Sequence, residues 1–154
     1  MPKSAKPVPE GYSTVTPYLI VAGAAKAIEY YKAVFGATER MRMDGGDGRI
    51  GHAELEIGNS VIMLADENPQ TAVRGPVSGG GTPVSLALYV DDVDEVVQNA
   101  VAGGATVERD VEDQFYGDRT GTIVDPFGHR WHVMTHIEDV SAEEMERRAL
   151  ASAE

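Results

Sequence analysis

Hydrophobic and polar positions along the chain change period several times, and each change marks an element. Residues 15–21, VTPYLIV, form an apolar run of strand length. Ala24, Ala27, Ile28, Tyr31 and Phe35 then recur at three-, four- and seven-residue spacings, which predicts an amphipathic helix. Gly36 stands where a helix C-cap is expected, and TERMRM (38–43) follows as a strand. DGGDG (44–48) reads as a turn. HAELEI (52–57) alternates with period two, GN (58–59) is a hairpin signal, and SVIMLA (60–65) is the returning strand.

The same order then recurs. VSLALYV (84–90) is a strand, and Val93, Val96, Val97, Ala100 and Val101 line a helix face that GG (103–104) ends. ATVERDV (105–111), RTGTIVD (119–125) and RWHVMTHI (130–137) are strands, with PFG (126–128) as a turn. FGAT (35–38) matches GGAT (103–106), and Gly58 falls opposite Gly128, so the halves are offset by 68 to 70 residues. The chain therefore reads as β-α-β-β-β twice. Module one covers 14–67, a Gly/Pro-rich linker covers 68–83, and module two covers 84–138.

Residues 1–13, rich in Pro, Lys and Ser, are expected to form a flexible arm. Ser141 with Glu144 three residues later has capping-box spacing and predicts a C-terminal helix within 139–154. Its few apolar positions, Met145 and Leu150, make that helix peripheral. A module of about 55 residues is too small to bury both faces of its own sheet, so the two must pair. The fold class expected is α+β.

Alternation also assigns strand faces. Pro17, Leu19 and Val21 share one face, and Thr16, Tyr18 and Ile20 the other. Leu86, Leu88 and Val90 suit a helix-covered side, which leaves Ser85, Ala87 and Tyr89 on the open side. Ala53, Leu55 and Ile57 suit the core, so His52, Glu54 and Glu56 point away from it. His132, Met134 and His136 share a face, and Trp131 reads as helix-side core. His52 and Glu54 are candidate catalytic groups, an imidazole and a carboxylate able to take a proton. The alternative is a solvated sheet face.

The histidines His129, His132 and His136 do not make a metal site by themselves. In a strand, His132 and His136 stand about 13 Å apart, too far for an ion held at about 2 Å. The segment DQFYGDRTG (113–121) offers Phe115 and Tyr116 as flat apolar surface and Arg119 as a fork for an anion. Arg119 can equally clamp the loop through Asp113, Asp118 or Asp125.

Composition narrows the chemistry. Of 154 residues, 42% are hydrophobic, enough for a packed interior. Cysteine is absent, which excludes disulfides, thiolate zinc sites, iron–sulfur clusters and cysteine nucleophiles. Thirteen Lys and Arg face 25 Asp and Glu, a net charge of -12, so neither nucleic acid nor membrane is expected as a partner. No run approaches the ~18 apolar residues of a membrane span, and the N-terminus lacks the apolar core of a secretory signal. A cytoplasmic protein is expected. No dinucleotide-binding glycine motif, Walker loop, H-E-x-x-H, EF-hand or G-x-S-x-G motif occurs.

The repeat, the opening TPYLIVAGAAKAIEYYKAVFGA, the hairpin HAELEIGNSVIMLADE and the closing FYGDRTGTIVDPFGHRWHVMTH together resemble one family. It is the glyoxalase/bleomycin-resistance/extradiol-dioxygenase, or vicinal oxygen chelate, superfamily, and within it the small PhnB-like bacterial proteins. The resemblance covers about residues 14–138. It implies two paired βαβββ modules forming an open cup-like barrel, and commonly a homodimer.

Enzymes of that family typically hold a divalent metal with two side chains from each module. The resemblance places those positions on Thr16, on Ile62 or Met63, on Ser85 and on His132, and only His132 ligates well. It therefore implies a small-molecule binder without the usual metal quartet and without a cofactor. Tyr18, Tyr89, Phe115, Tyr116, Arg119 and His132 are its expected ligand contacts. The alternative is a lyase, isomerase or oxygenase using His52 or Glu54 as base, or a non-standard metal site.

Overall fold

The computed structural model describes residues 5–152, which divide into two compact units between Gly80 and Gly81. The first contains β1 (Tyr18–Val21), α1 (Ala24–Phe35), β2 (Thr38–Gly46), β3 (Arg49–Ile57), β4 (Ser60–Asp66) and the single helical turn α2 (Pro76–Gly79). The second contains β5 (Ser85–Tyr89), α3 (Val93–Ala102), β6 (Thr106–Asp113), β7 (Asp118–Val124), β8 (Arg130–His136) and α4 (Ala142–Ser152). The fold is α+β, built of two βαβββ modules with a C-terminal helix. Among the described residues no helix is long and apolar enough to cross a membrane.

Each module carries a four-stranded mixed sheet of the same topology, β1-β4-β3-β2 and β5-β8-β7-β6. The first strand of each runs parallel to the last, and the remaining neighbours are antiparallel. β1 begins later than the apolar run predicts, because Pro17 has no N–H for the ladder. Its carbonyl still accepts from the Met63 amide at 2.9 Å. β2 reaches further than expected, through Gly46, so the turn shrinks to Asp47 and Gly48. Within the linker, α2 is an element the Gly/Pro pattern conceals. Its preceding Gly75 packs against β1, where a Cβ would come 2.7 Å from the Ile20 carbonyl oxygen.

In module one the helix-covered face of the sheet is the core. Leu19, Val21, Leu55, Ile57, Ile62 and Leu64 meet Ile28, Tyr31, Val34 and Phe35 of α1, all buried. Tyr31 and Phe35, one helical turn apart, stack with ring centroids 5.7 Å apart. Each large side chain buried this way contributes about 1.5–3 kcal/mol. Gly23, at the start of α1, brings no capping side chain. Asp66 supplies the cap from β4, accepting the Gly23 and Ala24 amides at 2.8 Å each.

Module two repeats the scheme with Val93, Val97 and Ala100 of α3 against Ile123, Trp131 and Val133. Asp92 caps α3 by accepting the Glu95 amide at 3.2 Å. The buried Asp125 organises the β7–β8 turn. One oxygen accepts the Phe127 and His129 amides, and the other accepts the Trp131 indole N–H at 2.8 Å. At α4 the Glu144 amide donates to Ser141 Oγ at 3.1 Å. The Glu144 carboxylate instead pairs with Arg147 and Arg148, and Arg148 ties α4 to Glu138 and to the Phe115 carbonyl.

Candidate functional site

Cross-strand register decides which side chains share the open face of module one. Tyr18 pairs with Met63, Met63 with Glu54, and Glu54 with Met41, so these four form one row across the sheet. His52 stands two residues from Glu54 on β3, on the same face and opposite Met43. Glu54 is only 4% exposed, whereas Glu56 further along the strand is exposed. Apolar neighbours on both sides and Tyr12 above account for that burial.

Tyr12 belongs to the N-terminal arm. Its hydroxyl donates to one oxygen of Glu54, and the Arg40 guanidinium lies 4.8 Å over its ring. The other Glu54 oxygen lies 2.8 Å from His52 Nε2. His52 Nδ1 in turn lies 2.8 Å from the Tyr18 hydroxyl. Burial opposes ionisation of Glu54, but the hydrogen bonds from Tyr12 and His52 outweigh it and hold the carboxyl below its usual range. Tyr18 is held above the ordinary phenol value by burial and by the Glu54 charge. Tyr18, expected as a ligand contact, and His52 and Glu54, expected as catalytic groups, thus form one hydrogen-bonded chain.

Tyr18 also borders a cavity of about 370 Å³ lined by Arg49, Asp66, Glu67 and, from the following loop, Asn68, Thr71 and Val73. Arg74 braces that loop by donating to the carbonyls of Asn68, Thr71 and Val73.

Module two has a larger cavity, about 690 Å³, on the open face of its sheet. Phe115 and Tyr116, edge to face at 5.3 Å, form its apolar wall with Met134. Its polar side is Gln114, Thr120, Thr122 and His132 with the charged Glu108, Arg109 and Arg130. His132 Nδ1 lies 3.1 Å from Thr122 Oγ1 and Nε2 lies 3.0 Å from Ser85 Oγ. Two hydroxyls therefore bracket the ring. Arg130 pairs with Glu108 at 2.9 Å, whereas Arg109 makes no ion pair among the described residues.

Three of the ligand-contact residues expected from sequence, Phe115, Tyr116 and His132, meet in this cavity. Tyr89 lies outside it, with its hydroxyl on the buried Asp118 at 2.8 Å. Arg119 points from the opposite side of β7, where it grips Asp94 of α3 through two nitrogens at 2.8 and 3.0 Å and Asp113 at 2.9 Å. Tyr12, Arg49, Arg109 and Thr122 were not singled out from sequence. Of these only Thr122 carried a local signal, its period-two relation to Thr120.

The repeat also fixes the family's ligand positions. Tyr18 pairs with Met63 as Ala87 pairs with His132, so Met63 rather than Ile62 corresponds to His132. Ile62 is buried against the helix side. Module one then offers a hydroxyl and a thioether, Thr16 and Met63, and module two offers Ser85 and His132. This donor set does not fit a four-ligand divalent metal centre. Among the described residues, no three His, Asp or Glu side chains cluster in a metal-holding arrangement.

Residues 13–133 match the family model described as glyoxalase/bleomycin resistance protein/dioxygenase superfamily. The uncharacterized protein Mb0911c of Mycobacterium bovis is 42% identical over 135 residues, covering 86% of this chain and 89% of that one. Protein PA1353 of Pseudomonas aeruginosa has a similar structure, with a TM-score of 0.68 and 27% identity over 82% of this chain and 99% of that one. A PhnB protein from Bacillus cereus shares the fold at a TM-score of 0.62 and 15% identity, over 80% and 99% of the two chains.

Proposed function

The chain belongs to the glyoxalase/bleomycin resistance protein/dioxygenase superfamily, and on that premise we propose that it binds a small organic molecule in the module-two cavity, without the metal quartet. The observation that carries this reading is the pairing of Phe115, Tyr116 and Met134 with the bracketed His132 in one cavity. An apolar wall opposite a few fixed polar groups is the usual build of a ligand pocket, and its size suits one small molecule.

The lining also indicates the ligand's chemistry. Arg109, without an ion pair among the described residues, gives a cation, His132 and Thr120 give hydrogen bonds, and the two rings give a flat surface. A small aromatic carboxylate satisfies all three. In a protein with a net charge of -12, such a ligand is drawn by Arg109 and not by the surface at large.

Equilibrium dialysis against a panel of small aromatic carboxylates tests the reading. Arg109→Ala should weaken the bound member about tenfold, or about 1.4 kcal/mol. Tyr116→Ala should weaken neutral and charged analogues alike. Binding unchanged in both variants would remove the cavity from the function.

A further inference from the structure

The hydrogen-bonded chain on module one has a direction. An ionised Glu54 can only accept, so it places a proton on His52 Nε2. In the neutral ring this leaves Nδ1 with a lone pair, 2.8 Å from the Tyr18 hydroxyl, which therefore donates to it. An oxygen acid, a base and a carboxylate that orients the base stand in sequence. That is the connectivity of a nucleophile with its activating dyad.

Exposure follows the same direction. Glu54 is 4% exposed, while Tyr18 is 47% exposed and borders the 370 Å³ cavity. Arg49 is the cavity's one cationic lining residue, and its contact with Asp47 is loose at 3.8 Å. The two lining carboxylates are already committed. Asp66 accepts the amides of Gly23, Ala24 and Ile50, and Glu67 accepts from the Gly75 amide and Ser78 Oγ. Those donors are neutral, so both carboxylates keep their charge, and Arg49 is the lining cation that an oxyanion formed beside the phenol would meet.

We propose that Tyr18 is a base-assisted nucleophile and that module one is an acyl-transfer site for small activated esters, built from residues other than those lining the module-two cavity. The phenol oxygen attacks the ester carbonyl as its proton passes to His52 Nδ1, and Glu54 stabilises the imidazolium. The bond to the leaving oxygen then breaks, and that oxygen takes the proton from His52. The acyl group remains as an aryl ester on Tyr18. Water, deprotonated by the same imidazole, hydrolyses it, releasing the acid and restoring the phenol.

The test uses the full chain with two probes, p-nitrophenyl acetate and an arylsulfonyl fluoride, whose adduct does not hydrolyse. The expected results are a burst of p-nitrophenolate, acetylation of Tyr18 in acid-quenched protein, and sulfonylation of Tyr18 ahead of Tyr89. Tyr89 is the more exposed, at 61%, and donates to a carboxylate instead of an imidazole, so accessibility alone favours it. Tyr18→Phe should abolish the burst, and His52→Gln should slow it about 100-fold. Sulfonylation of Tyr89 as fast as Tyr18 overturns the proposal, and needs no variant to fold. So does an acetyl group on His52 or a burst that survives in Tyr18→Phe.

Discussion

Asp118 and His136 are direct cross-strand partners on β7 and β8, with His136 Nδ1 2.8 Å from the buried Asp118 carboxylate. The other ring nitrogen lies 2.7 Å from Asp139. Hydrogen bonds to Asp118 and then Asp139 raise the imidazole pKa above its ordinary value, because both favour the charged ring. A group raised on folding stabilises the native state fully below its unfolded pKa, about 6.5. That contribution is lost as pH rises through the folded value. NMR titration should place His136 above 6.5, and Asp118→Asn should lower it more than Asp139→Asn. A native midpoint at or below the unfolded one would contradict the geometry.

Glu54 has the opposite sign. Its folded pKa is depressed, so its contribution is present above the unfolded carboxylate value, about 4.3, and fades as pH falls through the folded one. Glu54→Gln should cost about 1–2 kcal/mol in urea unfolding at pH 7. Below the folded pKa the difference between the two proteins should shrink toward zero. An equal loss at both pH values would mean that the charge is not what Tyr12 and His52 recognise.

Gly117 has φ +99°, and a Cβ there would stand 2.1 Å from the Glu138 carbonyl oxygen. Its own carbonyl accepts the Ile137 and Glu138 amides, so the chain after β8 rests on this residue. Gly117→Ala should destabilise by at least about 2 kcal/mol. Gly58→Ala, at φ +57° with open space around the Cβ, should cost only about 1–2 kcal/mol. Thermal melts of the two variants side by side separate the steric clash from backbone strain.

Removing Asp125 leaves three donors without their acceptor, the amides of Phe127 and His129 and the indole of Trp131. Asp125→Ala should cost about 3 kcal/mol or more by chemical denaturation. Asp125→Asn keeps one carbonyl oxygen and should lose less. A loss below about 1 kcal/mol in the alanine variant would show that water replaces the carboxylate at no cost.

Among the described residues, apolar runs and periods of 2 or 3.6 located the eight strands and the helices α1 and α3, whereas α4, which buries no face, was marked by the capping-box spacing of Ser141 and Glu144. Trp131 on the helix side follows directly from its alternation with His132. What pattern could not supply is partnership across the chain. Tyr12 reaches Glu54 over 42 residues, and nothing local in PVPEGYST marks it as a hydrogen-bond donor to β3. Arg119 was legible as a charged fork, but its grip on Asp94 depends on how α3 packs over β7. The single turn α2 is too short to establish a period.

Trp131 is the chain's one tryptophan, 2% exposed and hydrogen-bonded inside module two. The protein therefore carries an intrinsic fluorescent label on one half of a near-duplicate pair. Indole emission follows the unfolding of the second βαβββ unit, whereas far-ultraviolet dichroism follows both. Two optical signals from unmodified protein thus resolve one repeat from the other.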